Sequence, residues 1–230
     1  MIAAQTSARV RTVLLISGIA AALLYVGTDL VASSLYPGFS ITGQAVSELF
    51  AIGAPTSGMV VRLFTLSSGL LFAFAFGIGL SAGHQRALRL MAAMFAGSAV
   101  VALALWNFFP MHMRGAEPSF TDTMHLVLAT NPFVYITLVI GIIAFRDWFR
   151  TASAVTILIV VMPALFAFRY APALAAGQPT PWLGLFERVG QYSYQFWQIL
   201  LAINLFCVGA RHRGAEPRIR NLPQTQPFGL

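Results

Sequence analysis

Six long apolar runs, at about 13–35, 59–82, 88–109, 123–145, 152–170 and 189–210, constrain this chain more than any motif in it. At about 1.5 Å of rise per residue, each run approaches or exceeds the roughly 30 Å of hydrocarbon in a bilayer. The runs are continuous and show no alternation of apolar and polar positions, so a β-barrel is excluded and helices remain. Composition agrees. Only 9% of residues are charged, against about 25% in a soluble domain. A water-facing surface cannot be built from that, which excludes a soluble enzyme and a disordered chain. A disulfide framework is excluded because Cys207 is the single cysteine. The first run, with Arg9 and Arg11 before it, has the outline of a signal peptide, but its apolar stretch of about twenty residues exceeds the usual length and predicts a retained span.

The arginines orient the bundle. All fourteen basic residues are arginine, so lysine Schiff-base and lysine-nucleophile chemistry are excluded. With six spans, both termini share a side with the 83–88 and 146–151 connections. That side holds Arg9, Arg11, Arg86, Arg89, Arg146, Arg150, Arg211, Arg213, Arg218 and Arg220, and the other holds Arg62, Arg114, Arg169 and Arg188. The positive-inside rule then places both termini in the cytoplasm. The net charge of +7 is therefore an orienting bias; no nucleic-acid partner is expected. The predicted architecture is an all-α integral membrane six-helix bundle over 1–210 in the cell (inner) membrane. A short interfacial helix between spans one and two and a basic, disordered cytoplasmic tail over 211–230 complete it.

Acids segregate oppositely. Asp29, Glu48, Glu117, Asp122 and Glu187 lie at or near the outer side with His112 and His125, whereas Asp147, Glu216, His84 and His212 lie on the inner side. Within the runs, Gly69, Ala73 and Gly77 allow close approach of a neighbouring helix. Asn131-Pro132 and Pro163 predict kinks in runs four and five. Gln191, Gln195 and Gln198 share one face of run six, either bonding across helices or lining a ligand site, because amides facing lipid are costly. Trp106, Trp148, Trp182, Tyr36 and Tyr170 sit near span ends, as an aromatic belt requires.

Two outer segments could carry chemistry. In the first, Pro37-Gly38 marks a turn and residues 43–52 read as a short helix closed by Gly53. Ala45, Val46, Leu49 and Ile52 would be its buried side, Ser47 and Glu48 would sit at the boundary with water, and Arg62 is a candidate partner for Glu48. In the second, Asp122 and His125 are three apart on one helical face and could touch one ligand. With His112 they supply three zinc-ligand types, and Glu48 or Asp29 a fourth; no HExxH or paired-cysteine spacing supports a metal. The competing structural role is a capping box, Ser119-x-x-Asp122. Asp29, two turns from the end of run one, calls for an ion pair, with Arg169 or Arg188 as partner.

These segments resemble the bacterial and archaeal membrane family called domain of unknown function 998. The likeness is carried by Tyr36-Pro37-Gly38 leading to Ser47-Glu48-Leu49, by Gly53-Ala54-Pro55, and by Phe109-Pro110 with Asp122-x-x-His125-Leu126, over most of 10–210. It implies a six-span bundle and no established activity. A more distant likeness to alkaline ceramidases implies a serine, an aspartate and histidines around zinc. Ser47, Asp122, His112 and His125 supply those residue types, but no histidine follows His125 before His212.

Three functions are compatible with this pattern. The first is an outward-facing polar site binding a lipid or small polar ligand through Asp29, Glu48, Arg62, Arg114, Gln191 and Gln195. The second is an intramembrane hydrolase or transferase acting on a lipid-linked substrate. There Ser47, His112, Asp122 and His125 would be catalytic, and Arg62 or Arg114 would hold an oxyanion. The third is a small-solute transporter, which the absence of an internal repeat disfavours.

Overall fold

A computed structural model describes residues 2–117 and 119–219. Seven α-helices account for most of them: α1 (Ile2–Leu35), α2 (Ser57–Ser81), α3 (Arg86–Phe108), α4 (Phe120–Ala129), α5 (Pro132–Ala144), α6 (Trp148–Ala175) and α7 (Leu183–Ile219). Five segments are long and apolar enough to cross a membrane: Thr6–Leu35, Ser57–Ser81, Arg86–Phe108, Phe120–Ala144 and Trp148–Phe166. Among the described residues there is no strand beyond one isolated bridge between Ile52 and His112. The tail expected over 211–230 lies, from 220 onward, outside the described residues.

The helices close a ring. α1 packs on α2, α2 on α3, α3 on α5, α5 on α6, α6 on α7, and α7 returns to α1. Small residues set the closest approaches. A side chain on Gly77 would lie 2.9 Å from the Leu14 backbone, and one on Gly18 would strike the Phe74 ring, so α1 and α2 meet almost backbone to backbone. Gly69, the other end of that small-residue row, has open space beside it. The centre is filled by Leu15, Phe74, Met91, Phe95, Leu138 and Trp197. Where polar groups enter, they bond across helices: Gln198 donates to Gly18 O at 2.7 Å, Ser67 to Ala21 O at 2.9 Å and Trp197 to Ser153 Oγ at 2.9 Å. In an apolar medium no water competes for those groups, so each needs a protein partner. Of the glutamine row, Gln198 thus serves packing.

The two prolines act differently. At Asn131-Pro132 the fourth run breaks into α4 and α5, with Asn131 at φ 25°. Pro lacks an N–H and its ring collides with the preceding turn, so the helix stops before Pro132 and restarts with it in the first turn. α6 instead runs through Pro163 and Pro172 without interruption.

At one end of the ring the 36–56 connection, the 109–119 connection, the 176–182 connection and the start of α7 fold over the helix ends as a cap. A 3-10 helix, Val46–Phe50, is its centre, shorter than the ten residues expected. Val46, Leu49 and Phe50 are buried against Tyr25, Val60 and Phe64. Gly38 and Gly53 take the left-handed backbone their turns require, at φ 75° and 91°. Ile52, expected on the buried side, is exposed; its N–H donates to Met111 O at 2.9 Å, which ties the first connection to the second.

Candidate functional site

Three charged clusters lie in the cap, held by helix ends and by the connections that cross over them. The deepest joins α1 to α7. Arg188 holds Asp29 with two parallel bonds, Nε to Oδ2 at 2.9 Å and Nη2 to Oδ1 at 2.8 Å. Both residues are buried. The remaining guanidinium donors reach Ile41 O, Gln44 O and Gly184 O at 2.8, 2.9 and 3.1 Å. Tyr192 donates to Asp29 Oδ2, Ser33 Oγ lies 3.3 Å from Oδ1, and the guanidinium sits 5.6 Å from the Phe39 ring centre. Fork geometry and full donor use are what let a buried pair offset its desolvation. Arg188 is thus the partner expected for Asp29. Arg169, the other candidate, is exposed. Ser33 and Tyr192 were missed, although each stands four residues beyond a charged member on its own helix, a spacing visible in the sequence.

The second cluster joins the first and second connections. Arg114 donates from Nε to Glu48 Oε2 at 2.6 Å and from Nη2 to Glu48 Oε1 at 2.8 Å. Its other bonds go to Gly43 O and Gln178 O, at 2.8 and 3.2 Å. Glu48 also accepts from the Ala45 N–H at 2.8 Å, starting the 3-10 helix it belongs to. Arg62 is not its partner: exposed on α2, it bonds its own helix at Gly58 O, 2.8 Å away. The choice of partner has a simple cause. Arg62 lies on a helix surface, whereas Arg114 lies on the connection that crosses over Glu48.

Between these pairs lies Glu187, two residues before the sixth run. Its carboxylate accepts the Val46 N–H at 3.0 Å. Burial pushes its acid up from the ordinary 4.5 to about 7, opposed by the Val46 N–H and Arg188 and assisted by Asp29 and Glu48. α7 approaches the connection closely here. A side chain on Gly184 would collide with Gln44 O and Ile41 O, while Leu185 N donates to Thr42 O at 3.1 Å.

The third cluster differs in kind. Asp122 accepts from the His112 N–H at 2.7 Å, from the Ser119 N–H at 2.9 Å and from Ser119 Oγ at 2.7 Å; Ser119 Oγ in turn accepts the Asp122 N–H at 3.4 Å. This is the capping box read from Ser119-x-x-Asp122. The same carboxylate also meets His112 Nδ1 at 3.0 Å. A carboxylate on Nδ1 fixes the tautomer and directs Nε2 outward. Nε2 has no partner among the described residues, and the imidazole is 37% exposed.

The remaining site residues disperse. His125 is buried, its Nδ1 2.7 Å from Phe109 O and its ring 5.6 Å from Phe50. It therefore serves a different partner from Asp122, despite their common face. Among the described residues no three His, Cys, Asp or Glu side chains gather as a metal site, so His112, Asp122 and His125 do not converge around one position. Ser47 is partly buried and makes no side-chain hydrogen bond among the described residues; Ser119 is the serine that joins the histidine. Gln191 and Gln195 are partly buried on α7.

The family model for proteins of unknown function DUF998 matches residues 19–204. The chain belongs to that family. No curated protein and no solved structure matches it.

Proposed function

We propose that this DUF998 member is a six-span protein of the cell membrane, both termini and its basic tail cytoplasmic, whose outward cap binds a lipid headgroup or small polar ligand at the His112–Asp122–Ser119 edge. The sixth span would be 189–210 in α7, where Gln198 and Asn204 are buried. The orientation rests on the positive-inside rule: ten of the fourteen arginines in the sequence fall on the side that six spans would share with both termini, and four on the other.

One observation carries the choice of site. The Asp29–Arg188 and Glu48–Arg114 pairs spend their donors and acceptors on each other, on the backbone and on neighbouring side chains, while His112 keeps Nε2 free in water's reach. The charged ligand contacts expected of Asp29, Glu48 and Arg114 are therefore recast as the frame that holds the edge.

A hydrolase or transferase is the second reading, favoured by the same geometry. A carboxylate–imidazole dyad with an open Nε2 is the form in which histidine takes a proton from water or a substrate hydroxyl. In that version His112 is the base and Asp122 orients it, while Ser47 and His125 have no part.

Diethylpyrocarbonate labelling, mapped by mass spectrometry, tests the site in the full chain. His112 is expected to react at least tenfold faster than buried His125, and to slow when phosphatidylglycerol is added at its face. Equal rates for the two histidines would contradict the proposal. Cellular lipid profiles of His112→Ala and Asp122→Asn strains then separate the two versions, since only catalysis makes a substrate accumulate.

A further inference from the structure

Away from the cap, α6 and α7 part to leave a groove of about 550 Å³. Its apolar walls include Trp148, Ile159, Phe196 and Leu200. From Trp148 to Ile159 it follows α6 for eleven residues, about 16 Å, which matches one leaflet of a roughly 30 Å hydrocarbon layer. α6 lies in a segment long and apolar enough to span the membrane, and Trp148 and Phe196 stand exposed on its flank, so the groove opens toward lipid.

Three hydroxyls line it: Thr151, Thr156 and Ser193. None makes a hydrogen bond among the described residues. That is unusual within this bundle. Thr28, Ser68, Ser81 and Ser153 each return their hydroxyl to the carbonyl four residues earlier, at 2.7–2.9 Å. That is the ordinary way for a hydroxyl to settle in an apolar medium. Thr156 is 8% exposed, and the groove is where its hydroxyl remains accessible. It stands eight residues, about 12 Å, from the Trp148 end. At that depth an ordinary lipid offers only methylenes, because its ester carbonyls stay near the headgroups.

We propose that this groove binds a lipid-soluble carbonyl compound of the quinone kind. Its ring would lie against Phe196 and its oxygens would accept hydrogen bonds from Thr156 and Ser193. Three features fit that chemistry. An aromatic wall suits a flat ring. Thr156 and Ser193 are donors awaiting acceptors inside hydrocarbon, where neither water nor lipid esters supply them. The volume matches that of small-molecule sites, about 300–1,000 Å³. The cap plays no part, so the groove and the His112 edge stand or fall separately.

The test uses the full chain in phosphatidylcholine nanodiscs, titrated with decylbenzoquinone and followed by tryptophan quenching against empty-groove controls. Saturable one-to-one binding is expected, weakened at least tenfold by Thr156→Val with Ser193→Ala. Thr156→Ser, which keeps the hydroxyl, should remain within about threefold of the parent and thereby guards against a misfolding explanation. Decylbenzene, of the same shape without oxygens, should not compete. Competition by decylbenzene would make the groove a seat for any acyl chain and overturn the proposal. So would unchanged binding in the double variant, or a disulfide-linked dimer through Val155→Cys in a Cys207→Ser background, which would give the groove to a second copy.

Discussion

The Asp29–Arg188 pair and the Asp122–His112 pair sit in the same cap, yet one is closed and the other is open. In the first, the guanidinium donors go to Asp29 and to backbone carbonyls, and the carboxylate is shared among Arg188, Tyr192 and Ser33. In the second, a carboxylate saturated by the capping box holds an imidazole whose far nitrogen reaches water. The difference follows from place. Asp29 and Arg188 project from two helices into a dry seam, where an unpaired charge is prohibitive. His112 lies on a surface connection, where an open polar atom costs little.

Breaking the closed pair should therefore have the largest effect. Arg188→Ala leaves Asp29 buried without a counter-charge, and a loss of about 3–5 kcal/mol is expected. In detergent this should appear as a markedly lowered Tm or as failure to accumulate. Asp29→Ala should be comparably damaging, because Arg188 also pins the Ile41 and Gln44 carbonyls. A Tm within a degree of the parent would place the two helices' connection elsewhere.

Gly184→Ala should come next. A methyl there meets Gln44 O and Ile41 O at 2.1 and 2.4 Å, backbone atoms that cannot step aside singly. The connection must lift from α7, at a cost of about 1–3 kcal/mol. Faster proteolysis of residues 40–45 is the readout; Gly69→Ala, with open space beside it, is the matched control and should change nothing.

Much of this contrast was legible in the sequence, and its limits have physical causes. The apolar runs fixed the helices because backbone satisfaction in lipid leaves few alternatives. The break at Asn131-Pro132, the capping box at Ser119 and the need of Asp29 for an arginine partner followed from local chemistry, while the choice of Arg188 over Arg169 did not. What failed was long-range and loop-borne. Glu48 took Arg114 instead of Arg62 because the 109–119 connection crosses the first one, a crossing no periodicity encodes. Asp122 and His125, adjacent on a helix face, diverged because Phe109 O captured one and the capping box the other. The groove between α6 and α7 was invisible for a similar reason: Thr151, Thr156 and Ser193 look like ordinary helix hydroxyls until their bonds are traced.

An effect of similar size, but confined to high pH, should come from Glu187. Its acid is raised from 4.5 to about 7 in the fold, so the unfolded chain releases that proton first. Stability contributed by the protonated form is complete below about pH 4.5 and is lost as pH rises to 7. Glu187→Gln should remove that loss, raising Tm at pH 8 relative to the parent by an amount equivalent to about 1–3 kcal/mol, with little difference at pH 4.5. A pH-independent change would mean that the Val46 contact, and not the charge, dominates.

The smallest effect on folding belongs to the open pair. His112→Ala keeps the Asp122–Ser119 capping box and removes one partly exposed bond, worth about 0.5–1.5 kcal/mol. The direct test of the account is the Tm of Arg188→Ala against that of His112→Ala, measured side by side in one detergent at pH 7. A large loss is expected for Arg188→Ala and a shift of no more than a few degrees for His112→Ala. Equal losses, or the reverse order, would contradict the division of the cap into a structural frame and an open site.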